Sequence, residues 1–166
     1  MDIDFVLALV ARWMHILAAI TAVGGTIFQR VALVPAVAKL ADGDRRALAE
    51  ALRSRWSKFV MASIAFLLIS GFYNFLTIVR LYDLPRPWYH ALFGVKFLLA
   101  LAIFFIASVL AGRSEATQKF RDNAKSWLTV NMCLAILLVM ISGALKVMPH
   151  TPKTAAAPPA TGAPAP

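Results

Sequence analysis

The chain has 166 residues, 60% of them hydrophobic and only 15% charged. Its apolar residues are gathered into four long runs, which excludes a single soluble domain. The formal net charge of +9 sits mostly beside those runs, so it reads as a membrane-topology signal with anionic headgroups as partner. Nucleic acid is not expected.

The runs cover about residues 5–28, 56–79, 88–111 and 127–148. Each is long enough to cross a hydrocarbon core of ~30 Å at ~1.5 Å per residue. The expected fold is all-α: a four-span transmembrane helical bundle over residues 1–150, followed by a disordered Ala/Pro-rich tail over 151–166.

The first run opens with Asp2 and Asp4, is too long for a signal core and lacks a cleavage pattern, so it is read as a retained span. Within it, "RWMHILAAITAVGG" carries Arg12 near the interface and His15 roughly 15 Å deep. The His15 side is nearly all small: Ala8, Ala11, Ala18, Ala19, Ala22 and Gly25 share it with Arg12 at helical spacing. A neighbouring helix or a flat cofactor can approach such a face closely.

The first connection holds Arg30, Lys39, Arg45, Arg46, Arg53, Arg55 and Lys58. Asp44 is placed to cap a short amphipathic helix there, lying in the headgroup layer and running into span two. The third connection holds Arg113, Lys119, Arg121 and Lys125, against Arg80 and Arg86 in the second and no Lys or Arg in the N-terminal tail. Both termini are therefore expected on the non-cytoplasmic side of the inner membrane. The second connection, "LYDLPRPWYH", is short and proline-punctuated, a tight turn.

Span two carries a stripe of Ser63, Phe66, Ser70, Asn74 and Thr77, and span four one of Asn131, Ala135, Leu138, Ser142 and Lys146. Such stripes turn to the bundle interior, because lipid offers no hydrogen-bond partner, and ordinary helix packing accounts for most of their Ser and Asn residues. His15 and Lys96, the latter roughly 12 Å into span three, are different. A charged group at that depth costs about 2.5 kcal/mol or more, so it needs a partner or a task. His15 is open to three roles: ligand, proton carrier or structural hydrogen bonder. Lys96 either serves the same site or snorkels to the surface. Ser70 and Ser142 fall near their layer. His90, Met148 and His150 gather at the mouth, with Met14 beside His15, and thioether with imidazole suits Cu(I). Cys133, within span four, reads as a small packing residue, and as the only cysteine it excludes an intrachain disulfide.

Short self-similarities pair the two halves. "WMHIL" at 13–17 resembles "WYHAL" at 88–92, and "ISG" occurs at 69–71 and 141–143. The chain thus reads as two tandem helical hairpins, a parallel pseudo-repeat. No GxSxG, P-loop, HExxH or CxxCH pattern occurs, so soluble-type catalysis has no foothold.

With "WMHILAAITAVGG", "FQRVALVP" and "WYHALFGVKFLLAL", residues 12–112 resemble the copper-resistance D (CopD) family and, more distantly, the HemJ-type protoporphyrinogen oxidases. The shared pattern is a histidine followed nine and ten residues later by small residues, here Gly24 and Gly25, then Arg30 and Pro35, and an intramembrane lysine, here Lys96. Ala22 replaces the tryptophan usual in both families, and Gly94 the histidine usual in HemJ proteins. The resemblance implies a bundle that binds copper or haem b, with His15 first among the ligands.

Three readings follow. A CopD-like protein would handle or pass copper through His15, Met14, His90, Met148 and His150, and it is the leading expectation. A haem-b protein, either a porphyrinogen oxidase or a quinone-linked carrier, would use His15 with Lys96, Arg12, Ser70 and Ser142 around the cofactor. An accessory subunit would only pack helices in a homo-oligomer or a larger membrane complex. Enzymatic activity, in the second reading, would be haem-dependent oxidoreduction.

Overall fold

The computed structural model describes residues 3–83, 87–112, 114–148 and 151–152. Helix α1 (Ile3–Phe28) contains no proline and keeps its apolar run unbroken to the paired glycines. It does not stop there. A π turn (Gln29–Leu33) and a short α2 (Val34–Val37) extend it, with Val34 N–H donating to Gln29 O. Pro35 explains the change of ladder: its ring lacks an N–H and crowds the carbonyl four residues back, and a widened turn accommodates both.

Helix α3 (Asp42–Leu81) is one unbroken 40-residue helix. The sequence led us to expect a separate interfacial helix capped by Asp44. Instead the helix starts three residues earlier, behind Ala41, which makes no side-chain cap, and runs on as one piece. Asp42 and Asp44 both lie in its first turn, where carboxylates complement the helix dipole, and Asp42 pairs with Arg45. No proline interrupts residues 42–81, so continuing the helix preserves every backbone bond that a bend would break. At ~1.5 Å per residue α3 is roughly 60 Å long, about twice the hydrocarbon thickness.

Residues Tyr82–Asp83 (β1) lead toward α4 (Trp88–Ala111). A turn of 3₁₀ helix (Glu115–Thr117) and α5 (Gln118–Asp122) then lead to α6 (Ala124–Val147). Arg121 clips this connection together. Its guanidinium donates to Ser114 O at 2.8 Å and Thr117 Oγ1 at 2.6 Å.

The helices alternate in direction and form a ring: α1 packs on α3, α3 on α4, α4 on α6, and α6 back on α1. β1 pairs antiparallel with Thr151–Pro152 (β2), Tyr82 opposite Pro152 and Asp83 opposite Thr151. Thr151 and Pro152, expected to begin a disordered tail, thus join the α3–α4 connection through backbone hydrogen bonds. Residues 153–166 of that tail lie outside the described residues. The pairing defines a terminal end of the bundle, and the Arg- and Lys-rich connections define a basic end.

Four helical stretches are long and apolar enough to cross a membrane, and the architecture is that of a multi-pass membrane protein. The burial pattern is inverted relative to a soluble bundle. Ala18, Ser63, Ser70, Asn131 and Ala135 are buried, whereas Leu17, Ile20, Leu98 and Met140 are each more than 60% exposed. Small and polar residues therefore share the helix contacts with Val60, Tyr89, Ile106, Val109, Leu128 and Leu145, while most of the large apolar residues face outward. Within the expected stripes, Ser63, Ser70, Asn131 and Ala135 do turn inward, but Phe66 is exposed. So is Cys133, expected in packing, since it lies off the α6 face formed by Asn131 and Ala135.

The paired glycines are not equivalent. A side chain on Gly25 would run into the Trp56 ring, while one on Gly24 would meet nothing within 4 Å. Gly25 is where the α1–α3 crossing closes. Gly24→Ala should therefore stabilise the protein by up to about 1 kcal/mol through helix propensity, and Gly25→Ala should lower its melting temperature in detergent. A thermal scan of the two variants side by side checks the difference.

Candidate ligand-binding site

At the terminal end the four helices diverge around a cavity of about 330 Å³. This lies within the size range of small-molecule pockets. α1 contributes His15; α3 contributes Gly71, Asn74, Phe75 and Ile78; α4 contributes Tyr89, Phe93 and Lys96; α6 contributes Ser142, Leu145 and Lys146, with Tyr82 of β1 at the rim. Phe75 and Phe93 stack at 3.9 Å between centroids and 17° between planes, giving the wall a flat aromatic section.

The helical period brings these residues to one face. Gly71, Asn74 and Ile78 stand at i, i+3 and i+7 on α3, and Tyr89, Phe93 and Lys96 at i, i+4 and i+7 on α4. Gly71 has a specific reason to lack a side chain. A Cβ there would lie 3.2 Å from His15 Cε1 and 3.6 Å from its Nδ1, so the glycine makes room for the imidazole.

His15 is held by a two-step hydrogen-bond relay. Its Nδ1 lies 3.0 Å from Ser70 Oγ. The Ser70 hydroxyl donates its single hydrogen to Phe66 O, one helical turn back. Ser70 Oγ can then only accept, so the network assigns the proton to His15 Nδ1. In the neutral ring, Nε2 is left with its lone pair. This is the arrangement by which proteins fix the tautomer of a ligating histidine. Ser142 is committed in the same way, donating to Leu138 O at 2.7 Å, and presents only acceptor capacity to the cavity.

Of the residues singled out in the sequence, His15, Lys96 and Ser142 meet at the cavity wall, with Ser70 behind His15. Arg12 lies one turn from His15 and is exposed. Met14 is half-buried on α1, off the cavity wall. His90 is exposed, its ring edge-on to Tyr89 at 6.1 Å. Met148 is half-buried just past α6, and His150 lies outside the described residues. Among the described residues, no group of three or more His, Cys, Asp or Glu side chains is placed to hold a metal ion. Lys146 and Asn74, expected on interior stripes but not assigned to the site, line the cavity, and sequence reasoning missed Gly71 and the aromatic wall. The i−3 and i−7 spacings from Lys96 find Phe93 and Tyr89, whereas Gly71 and Phe75 lie off the helical spacings from Ser70.

A second polar layer lies toward the basic end. Asn131 Nδ2 is 3.5 Å from Thr26 Oγ1, a long contact, and Asn131 Oδ1 is buried without a hydrogen-bond partner among the described residues. One turn further, Arg30 Nε donates to Thr129 Oγ1 at 2.6 Å.

Comparison with protein-family models, with curated proteins and with solved structures returns no match.

Proposed function

We propose that this protein is an inner-membrane redox protein that binds haem b in the terminal-end cavity, with both termini on the non-cytoplasmic side. The observation that carries this reading is the Phe66–Ser70–His15 relay, which holds one imidazole at the cavity wall with the Nε2 lone pair that would ligate the iron. The rest of the wall suits the same ligand. Phe75, Phe93, Tyr82 and Tyr89 give the wall an aromatic lining suited to a macrocycle, and Lys96 and Lys146 would offer ammonium groups to its propionate carboxylates. Bound haem would supply one-electron chemistry. The chain's own residues would orient the imidazole and neutralise the carboxylates.

Copper, the ligand that the sequence resemblance put first, is less well served by this donor set. Cu(I) seeks several thioether, thiolate or imidazole donors, and the described wall brings one imidazole beside two ammonium groups that repel a cation. The haem reading is tested by titrating haemin into the purified protein in lipid nanodiscs. A saturating Soret shift at one haem per chain is expected; no uptake of haemin beside stoichiometric Cu(I) binding would reverse the preference, and uptake of neither would leave an accessory subunit.

A further inference from the structure

We infer that Arg30, presented by the π turn against α6, is a binding site for the phosphodiester headgroup of an anionic phospholipid in the leaflet at the basic end. The inference does not depend on the haem reading, because the site is at the opposite end of the bundle.

Arg30 is half-buried and held in one direction by its bond to Thr129. The Thr129 hydroxyl passes its own hydrogen to Lys125 O at 2.9 Å, so it can only accept from Arg30 Nε–H. A guanidinium has five N–H donors, and Thr129 takes one. Among the described residues no carboxylate lies within ion-pair distance of Arg30, the one ion pair there being Arg45–Asp42. A half-buried cation in a membrane protein ordinarily has an anionic or carbonyl partner. Here the fork is fixed by its Nε, and its terminal nitrogens bond no described residue and are open to an anion, the geometry in which arginine grips a phosphate through two parallel bonds.

The level fits a headgroup. Thr129 lies five residues past the start of α6 at Ala124, roughly 8 Å along the axis. Lys125, one turn nearer that end, adds a second cation on the Thr129 face. The surroundings favour a lipid over free phosphate: Phe28 and Val31, which flank Arg30 on the same segment, are 59% and 61% exposed and give acyl chains an apolar surface. Basic sites between helices at this level are where anionic headgroups bind.

The test is native mass spectrometry of the full chain released from detergent micelles, with phosphatidylglycerol, phosphatidylcholine or inorganic phosphate added. Wild-type protein should retain phosphatidylglycerol at least about tenfold better than phosphatidylcholine, and inorganic phosphate should not compete. Arg30→Gln should lose that preference, Arg30→Lys should keep part of it, and Arg45→Gln should leave it unchanged. Equal retention of the two lipids by wild-type protein overturns the inference, whatever the folding of the variants. So does equal loss in Arg45→Gln, which would reduce the site to general surface charge. Competition by inorganic phosphate would instead make it a soluble-anion site.

Discussion

His15→Ala should abolish haemin binding, lowering affinity by more than about 100-fold, and Ser70→Ala should lower it by about 10- to 100-fold with the fold intact. The two losses have different causes. His15→Ala removes the ligating nitrogen itself. Ser70→Ala leaves the imidazole in place and removes the acceptor that fixes its Nδ1–H, so the ring is free to turn and its tautomer is no longer set. Phe66 O then loses a bond it accepts in addition to its place in the helix ladder, which is a small loss. Haemin titrations of the two variants beside wild-type protein, with melting temperatures measured alongside, read both effects. Equal binding by Ser70→Ala and wild type would mean that the relay has no part in ligand binding.

Lys96→Met should move stability and binding in opposite directions. The ammonium lies well inside α4 and lines the cavity at a level where a charge is costly, so methionine should stabilise the unliganded protein by up to about 2 kcal/mol. The same change removes a charge-assisted bond to a ligand carboxylate, worth about 1.5–3 kcal/mol, and should weaken haemin binding about tenfold or more. Thermal unfolding without ligand and titration with it measure the two signs separately. A lysine that merely snorkels to the surface would give a stability change without a binding change. Haemin dimethyl ester, which lacks the carboxylates, should bind wild type and Lys96→Met alike.

The four spans were legible because hydrophobic run length is a direct consequence of bilayer thickness. The sequence placed the ends of α1, α4 and α6 and the C-terminal end of α3 within three residues, whereas α3 begins 14 residues before the expected span. The extensions beyond the membrane were not. The first run ends at residue 28, yet a π turn before Pro35 carries the helix on, and Asp44 reads as a cap, yet the helix begins earlier at Asp42. In both cases a local signal was outweighed by the gain from continuing a hydrogen-bonded helix. The two hairpins consequently differ: α1 with its extension reaches Val37 and α3 begins at Asp42, whereas α4 and α6 are 24 residues each. The short self-similarities of the sequence therefore have no counterpart in the connections.

The site was legible in its ionisable members and hidden in its walls. His15 and Lys96 stand out in apolar sequence because burying them is costly. Lys146, though on the interior stripe of span four, stands out less as a site residue, since it falls in the last turn of a helix, where a lysine ordinarily meets water. The partnership of His15 with Ser70 joins residues 55 apart, and helical period gives each residue's face but not which helix it meets. "WYHAL" copies "WMHIL" in sequence, but His90 is exposed while His15 is half-buried, so the repeat duplicates the motif without duplicating the site.

The most direct measurement is the absorption spectrum of the protein purified from a haem-producing host, recorded beside His15→Ala purified in the same way. The account predicts a Soret band at one haem per chain in the wild type, absent or displaced in the variant. A wild-type protein with no Soret band that also takes up no haemin, or a Soret band unchanged in His15→Ala, would contradict it.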